Sequence, residues 1–221
     1  MQSFIIALIF FSVVLYILMQ VFSFFMGTKS GRRQMQRDLN QLDKLMGEFK
    51  DGLIPFEEDE FKLLSSNPVV KQNKKSNSVF SRGVLSTIYQ EPLLAFSLKE
   101  NKRDNNILLL AHSDKNKYQL NYKEGETDVF INEEHVGYIT KNHEFIDGSN
   151  KVVARIDQET GEQYAKILLH DTDTAHINVK GSQGVGDNER VFSLFHDFKH
   201  EDSEEMVLLT LYYLFIENSA A

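Results

Sequence analysis

From Val79 onward the chain adopts a two-residue apolar period, and this pattern narrows the fold more than any other. Side chains that alternate in this way suit half-buried strands. Eleven short runs are read. The first five are Val84–Tyr89, Leu93–Leu98, Ile107–His112, Tyr118–Tyr122 and Val129–Ile131. Val136–Thr140, Glu144–Ile146, Val152–Ile156, Tyr164–Leu169, Ala175–Val179 and Arg190–Leu194 follow. Turn residues separate them, as in Asp104-Asn105-Asn106, Glu124-Gly125 and Asp147-Gly148-Ser149-Asn150. With no helices between the strands, a parallel α/β fold is excluded. The spacings are too irregular for a propeller or solenoid. An antiparallel sandwich or barrel remains.

The C-terminal segment chooses between the two. Met206–Ile216, MVLLTLYYLFI, is apolar on every side and only 11 residues long. A helix of that kind must be buried in protein, and it is far too short to cross a bilayer. The expectation is a mainly β fold: a closed antiparallel β-barrel around a buried C-terminal hydrophobic helix. Asp202 and Glu205 read as a capping box at the start of that helix.

At the other end, Phe4–Phe25 is a run of 22 uncharged residues, and the first charge is Lys29. Such a run spans about 30 Å of hydrocarbon. It is too long, with too bulky an end, for a cleaved leader. Lys29, Arg32, Arg33 and Arg37 follow it with no acid among them. The expectation is a single-pass membrane protein with its N-terminus outside and its C-terminal domain cytoplasmic. Those four cations are candidate headgroup contacts with the lipid bilayer.

Met35, Leu39, Leu42, Met46 and Phe49 recur at alternating spacings of four and three, a short a/d seam. It would pair with a protein partner or a second copy, or else pack on its own domain. Gly52 and Pro55 separate this helix from a second one that opens on carboxylates. The expected organisation is an anchor over 1–27, a juxtamembrane helical stalk over 28–65, a polar linker over 66–78 and the β domain over 79–221.

Chemical motifs are few. His196 and His200 stand four apart, a candidate metal pair lacking the Glu of a His-Glu-x-x-His motif. Gly181–Gly186 lies between two expected strands, which suits a hairpin loop and not a nucleotide fingerprint. The remaining histidines show no interpretable spacing to a nucleophile. No catalytic residue, metal or cofactor is called for. A net charge of −8 argues against a nucleic-acid partner.

Three stretches carry a family likeness: Gly83–Tyr89; His135–Ile139 followed by Asn150–Ile156; and Ser203–Asn218. Over about residues 79–221 the chain resembles the superfamily of tubby C-terminal domains, phospholipid scramblases and LURP-one-related proteins. The resemblance implies a roughly twelve-stranded barrel around a hydrophobic C-terminal helix. Tubby-type headgroup binding uses surface cations, for which no matching pair is found here. Asp171-Thr172-Asp173 is too short for a calcium segment, and there is no Cys, so scrambling is not implied. The functional expectation is a non-enzymatic, membrane-anchored binding module whose β-barrel engages a lipid headgroup or a protein partner. The alternatives are a membrane-tethered enzyme or ligand-binding barrel, and a structural subunit of a membrane assembly.

Overall fold

A computed structural model describes residues 33–75, 77–158, 164–178, 190–196 and 202–217. The chain divides into two compact units, Met1–Gln41 and Leu42–Ala221. The predicted span Phe4–Phe25 and the cations Lys29 and Arg32 lie outside the described residues. Among the described residues no helix is long and apolar enough to cross a membrane.

Twelve strands follow one another in space as in sequence: β1 (Val69–Lys75), β2 (Ser78–Ser86), β3 (Pro92–Asn101), β4 (Asn106–His112), β5 (Lys117–Lys123), β6 (Glu126–Ile131), β7 (Glu134–Ile139), β8 (Glu144–Asp147), β9 (Val152–Asp157), β10 (Tyr164–Leu169), β11 (Thr172–Asn178) and β12 (Phe192–Phe195). All neighbours are antiparallel. Two-residue hairpins set the register. Glu124-Gly125, Asn132-Glu133 and His170-Asp171 each have two positive φ angles, the turn whose twist matches paired strands.

Two expectations about the sheet need correction. The ladder of strands does not close, because β1 and β12 are not neighbours. Residues 63–65 lie between β2 and the chain entering β12. Ser65 N–H donates to Ser86 O at 2.8 Å, Ile88 N–H to Leu63 O at 2.8 Å, and Val191 N–H to Leu64 O at 2.8 Å. The gap between β2 and β12 is thus taken by the chain leading into β1. The second correction concerns the expected linker over 66–78, most of which is β1. All seven residues of β1 are exposed, so no apolar alternation marked it as a strand. Its ladder to β2 holds it, in register from Val69↔Val84 to Lys75↔Ser78. Gly83 permits the approach: a Cβ there would lie 1.8 Å from Val69 O.

The central helix meets its expectation. After α1 (33–50) and α2 (Glu58–Lys62), α3 (Ser203–Leu211) continues into a π-helical segment, Tyr212–Glu217. Leu209 and Leu211 are 0% exposed, Phe215 only 8%. Phe215 packs on Phe96 with ring centroids 4.3 Å apart. Leu85, Leu94, Leu109, Leu120, Val129, Ile139, Ile156, Ile167 and Ile177 supply the surrounding wall. Burying each such side chain contributes about 1.5–3 kcal/mol. The capping box does not form: Asp202 makes no side-chain cap bond, since its Oδ1 instead faces His170 Nε2 at 3.2 Å.

A second apolar cluster lies outside the wall. Val84, Ala95 and Leu110 are buried yet separate from the core, and they face the opposite way to Leu85, Leu94 and Ala111 by strand alternation. Leu42 and Met46, both 0% exposed, cover this face from α1. Ser97 Oγ donates to Leu42 O at 2.9 Å and Arg82 Nη1 to Leu45 O at 3.2 Å. Two of the five seam residues are therefore spent inside the chain, on its own sheet.

Candidate functional site

An antiparallel meander gathers alternate turns at opposite ends. One end carries the β1–β2, β3–β4, β5–β6 and β7–β8 turns and the last turn of the central helix. The other carries the β2–β3, β4–β5, β6–β7, β8–β9 and β10–β11 turns and the entry of α3.

At the first end two hairpins join into a basic corner. Lys75, Ser78, Asn101 and Asn106 are consecutive partners across β1–β4, and Lys102 N–H donates to Asn77 O at 3.1 Å. The β3–β4 turn is shaped by Arg103 N–H on Asn101 Oδ1 at 3.2 Å and Asn101 Nδ2 on Asp104 Oδ2 at 2.8 Å. These turns carry Lys74, Lys75, Lys102 and Arg103, all exposed. Among the described residues none of the four forms an ion pair. Residues 69–105 hold seven basic side chains (Lys71, Lys74, Lys75, Arg82, Lys99, Lys102, Arg103) against three acids (Glu91, Glu100, Asp104), a net +4 within a chain of −8.

Further round the same end, Tyr212 OH lies 2.9 Å from His143 Nδ1 and donates to Glu217 Oε2 at 3.4 Å. Burial, then the adjacent Glu217 carboxylate, pushes the Tyr212 hydroxyl far above the ordinary tyrosine range. It is a neutral donor there and not a phenolate. This network gives a buried hydroxyl its partner and ties the end of the helix to the β7–β8 turn.

The opposite end is acidic and largely paired. Lys117 meets Glu133 at 3.0 Å, Arg155 meets Asp171 at 3.2 Å, and His176 meets Asp173 at 2.9 Å. Beside the entry of α3 is a cleft of about 300 Å³. Phe56, Tyr118 and Val207 line it with Ser113, Asp114, Lys115, Asn116, Ser203 and Glu204. Asn116 Nδ2 is already committed to Glu204 Oε1 at 3.0 Å. The lining holds no histidine, so no serine–histidine pair stands in this cleft.

The residues singled out in the sequence are scattered. Arg33 and Arg37 are exposed on α1. His196 is exposed, its backbone N–H bound to Thr174 O at 2.8 Å, and His200 lies outside the described residues. Among the described residues no three His, Cys, Asp or Glu side chains converge as metal ligands. The Gly181–Gly186 loop lies outside the described residues too. Five histidines without sequence signal each face a carboxylate: His112 with Asp43, His135 with Asp128, His143 with Glu217, His170 with Asp202 and His176 with Asp173.

Comparison with known proteins yields no matching family model, no matching curated protein and no matching solved structure.

The basic corner was missed because it is built from two segments about 25 residues apart, each with its own polar explanation. Lys74-Lys75 falls in the expected linker, and Lys102-Arg103 precedes the expected turn Asp104-Asn105-Asn106. A running charge sum over 69–105 was the available signal.

Proposed function

We propose that this protein is a non-enzymatic, single-pass membrane-anchored binding module whose β domain engages an anionic partner, a lipid headgroup layer or an acidic protein segment, through the basic corner. The carrying observation is that pair of touching hairpins, where four exposed cations form no ion pair among the described residues of an otherwise acidic chain. Charge held out of internal pairs is free to steer and hold an opposite charge. The packed interior favours a surface function, because α3 occupies the space in which a small barrel would hold a ligand. The uncharged run Phe4–Phe25 supports the anchor, and the basic flank supports a cytoplasmic domain. The twelve strands around a buried C-terminal helix support kinship with the tubby-like superfamily.

The test uses the full chain in neutral phosphatidylcholine nanodiscs. Two probes are added separately: vesicles containing phosphatidylserine, and a capped polyglutamate peptide. Binding to either, lost in the variant K74Q/K75Q/K102Q/R103Q and weakened by salt, is the expected result. Binding to neither, or equal binding by the variant, refutes the assignment.

A further inference from the structure

We propose that the outer edge of β1 accepts an extended acidic segment of a partner protein as an additional strand; this rests on the anionic-partner reading and names the partner's class. β1 stands at the end of the strand order, and among the described residues its backbone ladder runs to β2 alone. Among the described residues no other backbone group bonds to Val69–Lys75. One row of its N–H and C=O groups is therefore open along seven residues, a length of about 24 Å. Such an edge is a template for another strand.

The chemistry of the edge selects the occupant. Val69 is 61% exposed and Val70 41%, which gives an incoming strand apolar contact. Strand alternation puts Lys71 and Lys75 on one face and Lys74 on the other, so both faces of an added strand meet a cation. Lys71 also touches Glu48 at 3.2 Å, while Lys74 and Lys75 have no carboxylate partner among the described residues. A second copy of β1 would bring three more lysines to the same seam, and like charges across a strand pair are destabilising. A strand carrying alternate carboxylates on one face meets the opposite condition at Lys71 and Lys75, or, shifted by one residue, at Lys74. The lysines thus reject a like edge and attract an acidic one.

The experiment compares two capped peptides of equal charge, one alternating glutamate with valine, the other glutamate with proline, against the full chain in neutral nanodiscs. Proline lacks the N–H that a ladder needs. The glutamate–valine peptide is expected to bind at least about tenfold more tightly, a difference of about 1.4 kcal/mol. It should also slow hydrogen exchange at alternate amides of residues 69–75. Lys74→Gln with Lys75→Gln should weaken that binding and the protection together. Equal affinity for the two peptides overturns the strand-addition mode. So does lysine-dependent binding without protection of β1, or binding of phosphatidylserine vesicles with no peptide binding; these two outcomes leave the anionic-partner reading standing. Binding to neither peptide nor vesicles removes both.

Discussion

Two helical segments of the second unit, residues 42–50 of α1 and the central helix, meet the sheet from opposite sides, and they are held by different physics. The central helix, Ser203–Leu211 with its continuation to Glu217, is buried on all sides from Met206 to Tyr213, with few polar ties. Residues 42–50 of α1 bury only Leu42 and Met46 fully and add a polar ring. Asp43 Oδ1 meets Lys50 at 2.6 Å and His112 at 3.1 Å, and Glu48 meets Lys71 and Arg82 at 3.2 and 3.4 Å. A helix apolar all round has one destination. A helix with one apolar stripe needs its charged flank to fix where on the wall it lies.

The most severe break of this comparison is a charge in each helix. Leu211→Asp should leave no folded protein, because an unpaired carboxylate would be buried at the centre. Leu42→Asp should release only α1 and leave the sheet's cooperative urea transition in place. Loss of that transition in Leu42→Asp would show that the outer helix is as indispensable as the inner one.

Truncation to alanine sharpens the same contrast. Leu211→Ala is expected to cost about 2–5 kcal/mol of global stability. Leu42→Ala should cost less, since local undocking caps the loss. Hydrogen exchange would then accelerate in residues 42–50 and not in 206–213. Uniform acceleration in both helices would contradict this.

The two helices should also respond to acid with opposite signs. His112 is held below the ordinary histidine value by burial first and by the Lys50 charge second, against the pull of Asp43. Its folded state binds fewer protons than the unfolded one. The stability it lends is therefore present above about pH 6.5 and lost as pH falls from there toward the folded value. Burial pushes Asp43 up, but the Lys50 hydrogen bond and charge, with His112 and Lys117, outweigh it and leave its carboxyl below the usual range. Its contribution is lost further down, below about pH 3.8. Glu205, at the entry of the central helix, is raised, by burial first and then by Asp202 and Glu204. Its Oε2 has no partner among the described residues. Stability at that position is greatest at low pH and lost as pH rises through its folded value. His112→Gln should flatten the response of residues 42–50 between pH 7 and 5, read by exchange. Glu205→Gln should raise the thermal midpoint at pH 7 by a few degrees; a lowered midpoint would mean that the carboxylate is stabilising.

The smallest effect is expected at Glu48. It is half-exposed, so Glu48→Gln should cost under about 1 kcal/mol and cost nothing measurable in high salt. A larger, salt-independent loss would place it in the core of the docking contact.

Much of the fold was legible because it follows from patterns that act over a few residues. The short apolar runs of β3 and β4, the alternation in β10 and the turns at Glu124-Gly125 and Asp147–Asn150 identify strands and hairpins directly. The run from Met206 to Ile216 could only go inside. β1 was not legible: VVKQNKK buries nothing, and its existence depends on the neighbouring strand and on Gly83 admitting its backbone. The candidate site was illegible for a related reason. Asn77 and Lys102 meet through one backbone hydrogen bond, and His112 finds Asp43 across 69 residues of chain. No local spacing encodes such pairs.

By itself, then, the sequence determined the antiparallel class, the burial of the last helix and the lone 22-residue uncharged run, because hydrophobic periodicity and length are local quantities that burial must satisfy. Only the tertiary structure decided which face α1 covers, that residues 63–65 stand between β2 and β12, and that four separate cations share one corner. Those outcomes depend on register and on which turns a meander brings to the same end, and they are settled by contacts between residues far apart in the chain.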